Sequence, residues 1–186
     1  MSDCKGHEKL WLEHLSKHLS EYASMRNPFD SRAFIVSLSQ ERIRPDHPYT
    51  WIDVVEQDDA YFHPYGKRWP VISPAYIGFR YNGQLQHVRY VRGRRIVEDL
   101  VAINDRWPVG PRPHCLYALG PPLQPRKPVS SKGLHRGARL WGVAIDLLLS
   151  GECATISEAN DLTQLRSVLN DAGVTPLDED EVFGRS

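Results

Sequence analysis

Arginine is concentrated in the middle third of the chain, where its guanidinium group could bind the oxygen atoms of phosphates or carboxylates. No carboxylate occurs between Asp59 and Glu98. A planar guanidinium can form two parallel hydrogen bonds to one oxyanion, which a lysine ammonium does not do. The basic residues of this stretch are Lys67, Arg68, Arg80, Arg89, Arg92, Arg94 and Arg95. They indicate a surface for a polyanion, and nucleic acid is the first candidate.

The charge is distributed unevenly, although 23 Lys and Arg balance 23 Asp and Glu over the 186 residues. Residues 1–59 hold 7 basic and 11 acidic side chains, residues 60–145 hold 14 and 3, and residues 146–186 hold 2 and 9. This layout leaves two interpretations open. The basic middle binds an anionic partner, or the acidic flanks pack over it and neutralise it within the fold.

An Asn-Gly pair predicts the structural centre of the basic region. Asn82-Gly83 separates two runs of β-forming residues, 76–81 and 84–91, and both residues tolerate the positive φ of a type I′ turn. A third strand is predicted at Arg94–Asp99 and a fourth at His114–Leu119, before Gly120-Pro121-Pro122. A further short strand is predicted at Ala33–Leu38. The aromatic stretch Tyr61–Gly66 is predicted to be an irregular turn because it contains Pro and Gly.

Four segments predict helices. Residues Lys9–Ala23 place Leu12, Leu15, Leu19 and Tyr22 at spacings of three and four, as an amphipathic helix does. Thr50 and Asp53 form a capping pair ahead of a short helix that ends near Gln57. Two C-terminal helices are predicted at Gly137–Leu149 and, with Ser157 as N-cap, at Ser157–Asp171.

These elements predict an α+β fold in one domain of residues 1–186. Its centre is a curved antiparallel β-meander of four to five strands, or a small open barrel, packed with one N-terminal and two C-terminal helices. The predicted parts are an N-terminal helix, strand and short helix (1–59), the basic meander (60–120), an exposed loop (121–136), a helical pair (137–174) and an acidic tail (175–186).

The hairpin register predicts which side chains share a face. With Tyr81 opposite Gln84, Phe79 faces Gln86 and Ile77 faces Val88, so the core face carries Ile77, Phe79, Tyr81, Val88 and Tyr90. The opposite face then carries Tyr76, Arg80, Leu85, His87 and Arg89. The predicted nucleic-acid site comprises Tyr76, Arg80, His87, Arg89, Arg92, Arg94 and Arg95, where aromatic rings would stack on bases and arginines would contact phosphates. A secondary anion site is predicted at Lys132 and Arg136, in the loop that precedes a helix.

The chain carries no catalytic signature, so no catalytic residue is assigned. Glu98, Asp99 and Asp105 are the only acids inside the basic region and are therefore the candidates for a metal-dependent nuclease. His14 and His18 lie four residues apart, but no third ligand accompanies them, and neither a metal nor a cofactor is expected. Three widely spaced cysteines, at positions 4, 115 and 153, fit reduced thiols in a cytosol.

From the sequence we expect a cytoplasmic nucleic-acid-binding module, a subunit of a bacterial nuclease or phage-defence assembly. The alternative is a protein-interaction subunit or homo-oligomer that uses complementary charged faces without nucleic acid. A metal-dependent nuclease is the third hypothesis. No secretory signal or membrane-spanning run is evident, so no membrane partner is expected.

Overall fold

A computed structural model of the chain describes residues 31–66, 69–70, 72–108 and 113–171. Seven strands occur in these ranges: β1 (Arg32–Ser37), β2 (Ala60–Pro64), β3 (Tyr76–Tyr81), β4 (Gln84–Val97), β5 (His114–Leu123), β6 (Val129–Ser130) and β7 (Leu140–Ala144). The helices of the same ranges are α1 (Trp51–Gln57), α2 (Ile145–Leu149) and α3 (Ile156–Asp171). The predicted helix at Lys9–Ala23 and the predicted acidic tail lie outside the described residues.

The strands form one mixed sheet in the order β2-β5-β4-β3-β1-β7, and β6 pairs with the start of β4. The β1–β3 pair is parallel, whereas the other strand pairs are antiparallel. The predicted α+β class, with a curved and mostly antiparallel sheet that stays open, is confirmed. The sheet is larger than predicted because β2 and β7 extend its two edges.

Aromatic contacts show how strongly the sheet curls. The ring centroids of Tyr61 on β2 and Phe79 on β3 lie 5.5 Å apart, although β5 and β4 separate these strands. In a flat sheet the two strands would be about 14 Å apart. The sheet therefore bends towards the side that carries these two rings, which we call the concave side. The other side is the convex side, and α2 and α3 pack there against β7 and its neighbours.

Two local predictions are confirmed. Asn82 and Gly83 have φ values of 52° and 77°, as a type I′ turn requires. Thr50 caps α1 in a reciprocal arrangement: the Asp53 amide donates to Thr50 Oγ1 (3.3 Å), and the Thr50 amide donates to Asp53 Oδ2 (2.7 Å). Both motifs are local, so their residue types determined them without help from the rest of the fold.

A β-bulge makes the predicted hairpin register wrong beyond the turn. Arg80 pairs with Leu85, but Phe79 pairs with His87, so Gln86 is an extra residue on β4. Its side-chain Nε2 donates to the Tyr81 carbonyl at 2.8 Å and so holds the bulge. One inserted residue moves every later side chain to the opposite face.

Several predicted boundaries are also wrong. Residues Leu140–Ala144, predicted to be helical, form β7 because they pair with β1, and the helix begins only at Ile145. The predicted turn Tyr61–Gly66 contains most of β2, an edge strand on which Pro64 is tolerated. The third predicted strand continues the second without a break, and both belong to β4.

Further corrections concern β5, β6 and the start of α3. Strand β5 runs on through Gly120 to Leu123, and β6 lies inside the predicted exposed loop. The N-cap of α3 is Thr155 rather than Ser157, because the Glu158 amide donates to Thr155 Oγ1 at 3.1 Å.

Both sides of the central hairpin are buried. On the concave side, Phe34, Ile77, Phe79 and Tyr117 belong to one apolar cluster. On the convex side, a second cluster joins β1, β3, β4 and β7 to α2 and α3. A third cluster covers the convex side of β2 and β5 and includes Phe62 and Trp107. No helix within the described ranges has the length and apolar character to cross a bilayer.

Candidate functional site

The cationic side chains of the central hairpin are divided between the two sides of the sheet. Past the Gln86 bulge, His87 and Arg89 share the concave side with Ile77 and Phe79, whereas Arg80 shares the convex side with Leu85. A second irregularity between Val91 and Gly93 places the last cations of β4. Arg94 lies opposite Tyr117 on the concave side, and Arg95 lies opposite Leu116 on the convex side. The prediction of one continuous arginine face is therefore wrong.

Arg80 holds a loop in place. It is 4% exposed, and its Nη2 donates to the carbonyl oxygens of His135 (2.6 Å), Arg136 (3.2 Å) and Ala138 (2.9 Å). Burial lowers the pKa of Arg80 below its ordinary value. Because Arg80 is buried and its Nη2 is bound to three carbonyl oxygens of the chain itself, it cannot reach a phosphate in this conformation, contrary to its predicted role.

The buried His87 and Arg89 meet two partly exposed carboxylates at and just after the end of α1, and we call these four residues the ion-pair cluster (Glu56, Asp59, His87 and Arg89). His87 Nε2 lies 2.6 Å from Glu56 Oε1, and Arg89 Nη2 lies 3.3 Å from Glu56 Oε2. Arg89 Nη1 donates to Asp59 Oδ1 at 2.5 Å. The two basic side chains are 3% and 2% exposed, so the fold itself has neutralised two of the predicted nucleic-acid ligands.

The hydrogen bonds determine the protonation states of this cluster. Burial lowers the pKa of His87, so its imidazole is neutral near pH 7 with Nε2–H donating to Glu56. Burial raises the pKa of Glu56, but hydrogen bonds from His87 and Tyr81 outweigh burial and bring it below its usual value. Burial and the Glu56 carboxylate raise the pKa of Tyr81 to about 12. Glu56 is thus a carboxylate that accepts from three side chains.

The other predicted ligands lie apart from one another. Tyr76 is half-buried against the convex cluster. Arg92 is exposed, with its Nε 3.3 Å from the Tyr90 hydroxyl, and Arg95 borders a convex cleft of about 380 Å³ that also contains Asp58 and Asp59. Arg94 is half-buried on the concave side, where its Nε donates to Cys115 Sγ at 2.8 Å.

A groove runs along the concave side of β1, which we call the β1 groove. Phe34, Val36 and Leu38 alternate along this strand and face the concave cluster. A cleft of about 530 Å³ lies against Phe34, and another of about 440 Å³ lies against Val36 and Leu38. The two clefts adjoin successive residues of one strand face, from Phe34 to Leu38 just after β1, a distance of about 13 Å, and together they are the β1 groove.

Trp141 gives the first cleft an aromatic wall. It lies on β7, its ring is 4.3 Å from that of Phe34, and it is 51% exposed. Ile72 and Val91 complete the apolar lining, and Arg32 stands at the rim. A half-exposed indole supported on one face by a buried ring is a stacking platform for a planar group.

A three-layer stack joins the two edges of the sheet at the second cleft. The Trp69 indole lies parallel to the His63 imidazole of β2, with ring centroids 4.3 Å apart and an angle of 5° between the planes. The Arg139 guanidinium, just before β7, lies 4.1 Å from the centroid of Trp69. The cation–π contact therefore holds Arg139 at the mouth of the groove.

The pKa of His63 depends on its burial and on the charges at this mouth. Burial lowers its pKa to about 4, and the positive charges of Arg94 and Arg139 add to that effect. Its Nδ1 lies 2.9 Å from the Pro64 carbonyl and its Nε2 lies 3.1 Å from the Tyr117 hydroxyl. The neutral ring therefore donates from Nδ1 and accepts from Tyr117. Unlike His87, this imidazole has no carboxylate partner in the described part of the chain.

The predicted secondary anion site is only partly brought to the groove. Arg136 lines the second cleft together with Arg139, and its Nη2 lies 3.3 Å from Glu41 Oε1 with both side chains exposed. Exposed pairs of this kind contribute little and exchange readily for another anion. Lys132 is also exposed, but it does not line this cleft.

Sequence reasoning missed Trp69, Arg139 and Trp141 as site residues. The segment that contains Arg139 and Trp141 was predicted to be helical, which placed Trp141 on an inner face. Leu140, Trp141 and Val143 are apolar residues grouped around Gly142, and this composition was a weak signal for a strand. Trp69 carried no signal, because its role depends on β2 and β7 approaching each other across the curled sheet.

The described residues include no group of three or more His, Cys, Asp or Glu side chains that could hold a metal ion. No family model, no curated protein and no solved structure matches the chain.

Proposed function

We propose that this protein binds single-stranded nucleic acid in the β1 groove. A base stacks on the exposed face of Trp141, and the phosphates that follow it towards the second cleft contact Arg139 and Arg136. The observation that carries the proposal is the half-exposed Trp141 in one cleft and two arginines in a second cleft against the same strand face.

The dimensions and chemistry of the groove favour a single strand over a duplex. Base–aromatic stacking requires an unpaired base, and it contributes about 1–3 kcal/mol per base in single-strand-binding proteins. Phosphates need cations near such a platform, and Glu41, the only carboxylate that the described residues place along either cleft, is already paired with Arg136. The positive charges that act on His63 add a favourable field for a polyanion.

Fluorescence anisotropy with labelled single-stranded RNA, single-stranded DNA and the matching duplex tests this proposal. We expect the single strands to bind more tightly than the duplex. Trp141→Ala should weaken binding by about tenfold because the stacking platform is lost. Trp141→Phe keeps an aromatic face and should retain most of the affinity.

The matched control for the alanine variant is Ile96→Ala, which removes a side chain that is 50% exposed on β4 and lines neither cleft. Its affinity should equal that of the parent chain. Equal binding by Trp141→Ala and the parent protein would exclude the groove as the site. Preference for the duplex would exclude the stacking mechanism.

A protein partner is the second candidate, and an unpaired strand edge favours it. The pairing of β3 with β4 ends at Tyr90, and the Val91 amide still donates to the Ala75 carbonyl at 2.8 Å. From Arg92 onward, the described backbone hydrogen bonds of β4 go to one side only, to β5. Such an edge can accept a further strand from a partner. A homo-oligomer formed in this way would show a concentration-dependent mass in light scattering, which Arg95→Pro would abolish.

Membership of a bacterial nuclease or phage-defence assembly, and a cytoplasmic location, stay predictions. Metal-dependent nuclease activity also stays a prediction, and cleavage that requires a divalent metal and disappears in Glu98→Ala would support it. Glu98 and Asp99 are exposed after the end of β4 and do not border the β1 groove.

A further inference from the structure

Helix α3 is apolar on two opposite sides. Ile156, Ala159 and Thr163 are buried against the rest of the fold, at 0–2% exposure. On the other side, four apolar residues are exposed by 39% to 64%, and we call them the outer stripe: Leu162, Leu165, Val168 and Leu169. A helix with apolar residues on opposite sides is normally covered on both. The outer stripe is therefore a docking surface.

The N-terminal segment of the same chain has a matching pattern. Leu12, Leu15 and Leu19 follow one another at intervals of three and four residues, as do Leu162, Leu165 and Leu169. This is the spacing at which two helices interlock their side chains. Both segments therefore present an apolar seam of the same geometry.

The start of β1 lies beside α3, which brings the N-terminal segment within reach. Arg32 is the first residue of β1, and its Nη2 donates to Ser167 Oγ on α3 at 2.8 Å. Ala23 and Ser31 are eight residue steps apart in the sequence, enough for an extended chain to span about 26 Å. The 16 residues of α3 are about 24 Å long. Residues 9–23 can thus reach every position of the outer stripe.

Charge near the seam is compatible with the same arrangement. Residues 9–23 hold two lysines and two glutamates, but only Lys9 lies one turn from Leu12, while the exposed first half of α3 carries Glu158 and Asp161. We propose that residues 9–23 form a helix that packs on the outer stripe of α3 in the same molecule. This contact is independent of the β1 groove, so it can hold or fail separately from nucleic-acid binding.

Hydrogen exchange of α3 provides the first test. Leu12→Ser, Leu15→Ser and Leu19→Ser, combined in the full chain, should speed exchange of the amides of residues 162–169 by about tenfold, because α3 loses its cover. The control combines Glu13→Ser, Lys17→Ser and Glu21→Ser, which lie on the opposite side of the predicted helix, and should leave α3 unchanged. Unchanged exchange in the apolar variant would overturn the proposal.

Carbodiimide coupling in the unmodified protein provides a second test that does not depend on a variant folding. We expect Lys9, one turn before Leu12, to couple to Glu158 or Asp161 within monomers, whereas Lys17 on the opposite side should not couple. The absence of these products would overturn the proposal. So would coupling found only between chains, together with loss of α3 protection on dilution, because a second copy would then cover the stripe.

Discussion

The ion-pair cluster and the β1 groove both contain arginine side chains, yet the fold treats their charge in opposite ways. In the ion-pair cluster, His87 and Arg89 lie beneath α1 and meet the carboxylates of Glu56 and Asp59. In the groove, Arg139 lies over an indole, and its charge and that of Arg94 lower the pKa of His63. One region neutralises its charge internally, whereas the other keeps a positive potential at an open cleft.

The number of arginines in a stretch of this sequence therefore does not by itself locate a binding surface. Arg89 lies in an acid-free stretch of the basic region, but residues 56 and 59, just before that stretch, supply its partners. The neutralising acids come from α1 rather than from the acidic C-terminal segment. The groove, in contrast, acquires its charge from Arg136 and Arg139, far along the chain.

The largest expected effect is on stability, and Arg89→Met should produce it. Removing the guanidinium breaks its charge-assisted hydrogen bonds to the partly exposed carboxylates of Glu56 and Asp59, which should lower the free energy of unfolding by about 3 kcal/mol. Urea unfolding followed by circular dichroism measures this. The same change at exposed Arg95 should cost less than about 0.5 kcal/mol. Equal losses of unfolding free energy in the two variants would show that Arg89 is stabilised no more by its partners than an exposed arginine is.

A second effect on stability, of similar size but confined to acidic pH, is expected from the titration of His63. Its folded pKa of about 4 lies below the ordinary value of 6.5, so the unfolded chain binds a proton first as the pH falls. The contribution of this group is intact above pH 6.5, and about 3 kcal/mol of stability is lost by pH 4. Urea unfolding at a series of pH values measures this loss.

His63→Phe keeps a ring against Trp69 and should flatten that pH dependence, whatever its stability at pH 7. The control variant His47→Phe should retain the slope of the parent protein. A parent slope that survives in His63→Phe would show that the lowered pKa of His63, caused mainly by burial, does not produce the pH dependence.

The smallest expected effect concerns the bulge that separates the two regions. Gln86→Ala removes the hydrogen bond to the Tyr81 carbonyl and should cost about 1 kcal/mol in urea unfolding. Gln84→Ala, on the same strand but outside the bulge, should cost less. If Gln86→Ala leaves the free energy of unfolding unchanged, packing of Phe79 and His87 alone fixes the register.

Local signals predicted the parts of the fold that depend on neighbouring residues. Asn82-Gly83 and the Thr50–Asp53 cap were correct because the required φ values and hydrogen bonds lie within four residues. The bulge at Gln86 was not predictable from alternation, since one extra residue leaves the composition of both faces plausible. It reversed the assignment of Arg89, and with it the predicted site.

Pairings between distant segments account for the remaining errors. Residues 140–144 have an apolar pattern that suits a short helix or a strand, and pairing with β1 decides for the strand. The parallel β1–β3 pair and the approach of β2 to β7 are likewise properties of the whole sheet. Because the groove is built from these contacts, none of its residues except Arg136 could be predicted as part of a site.

The most direct test of the account is the salt dependence of single-strand binding in two double variants. Arg136→Gln/Arg139→Gln removes two cations from the groove, and Arg92→Gln/Arg95→Gln removes two that lie outside it. Each phosphate contact with a single strand contributes about 0.7 to the slope of log affinity against log salt concentration. We predict that the groove variant loses about 1.4 from that slope and that the second variant keeps the parent slope. The opposite pattern, or equal losses in both, would contradict binding in the β1 groove.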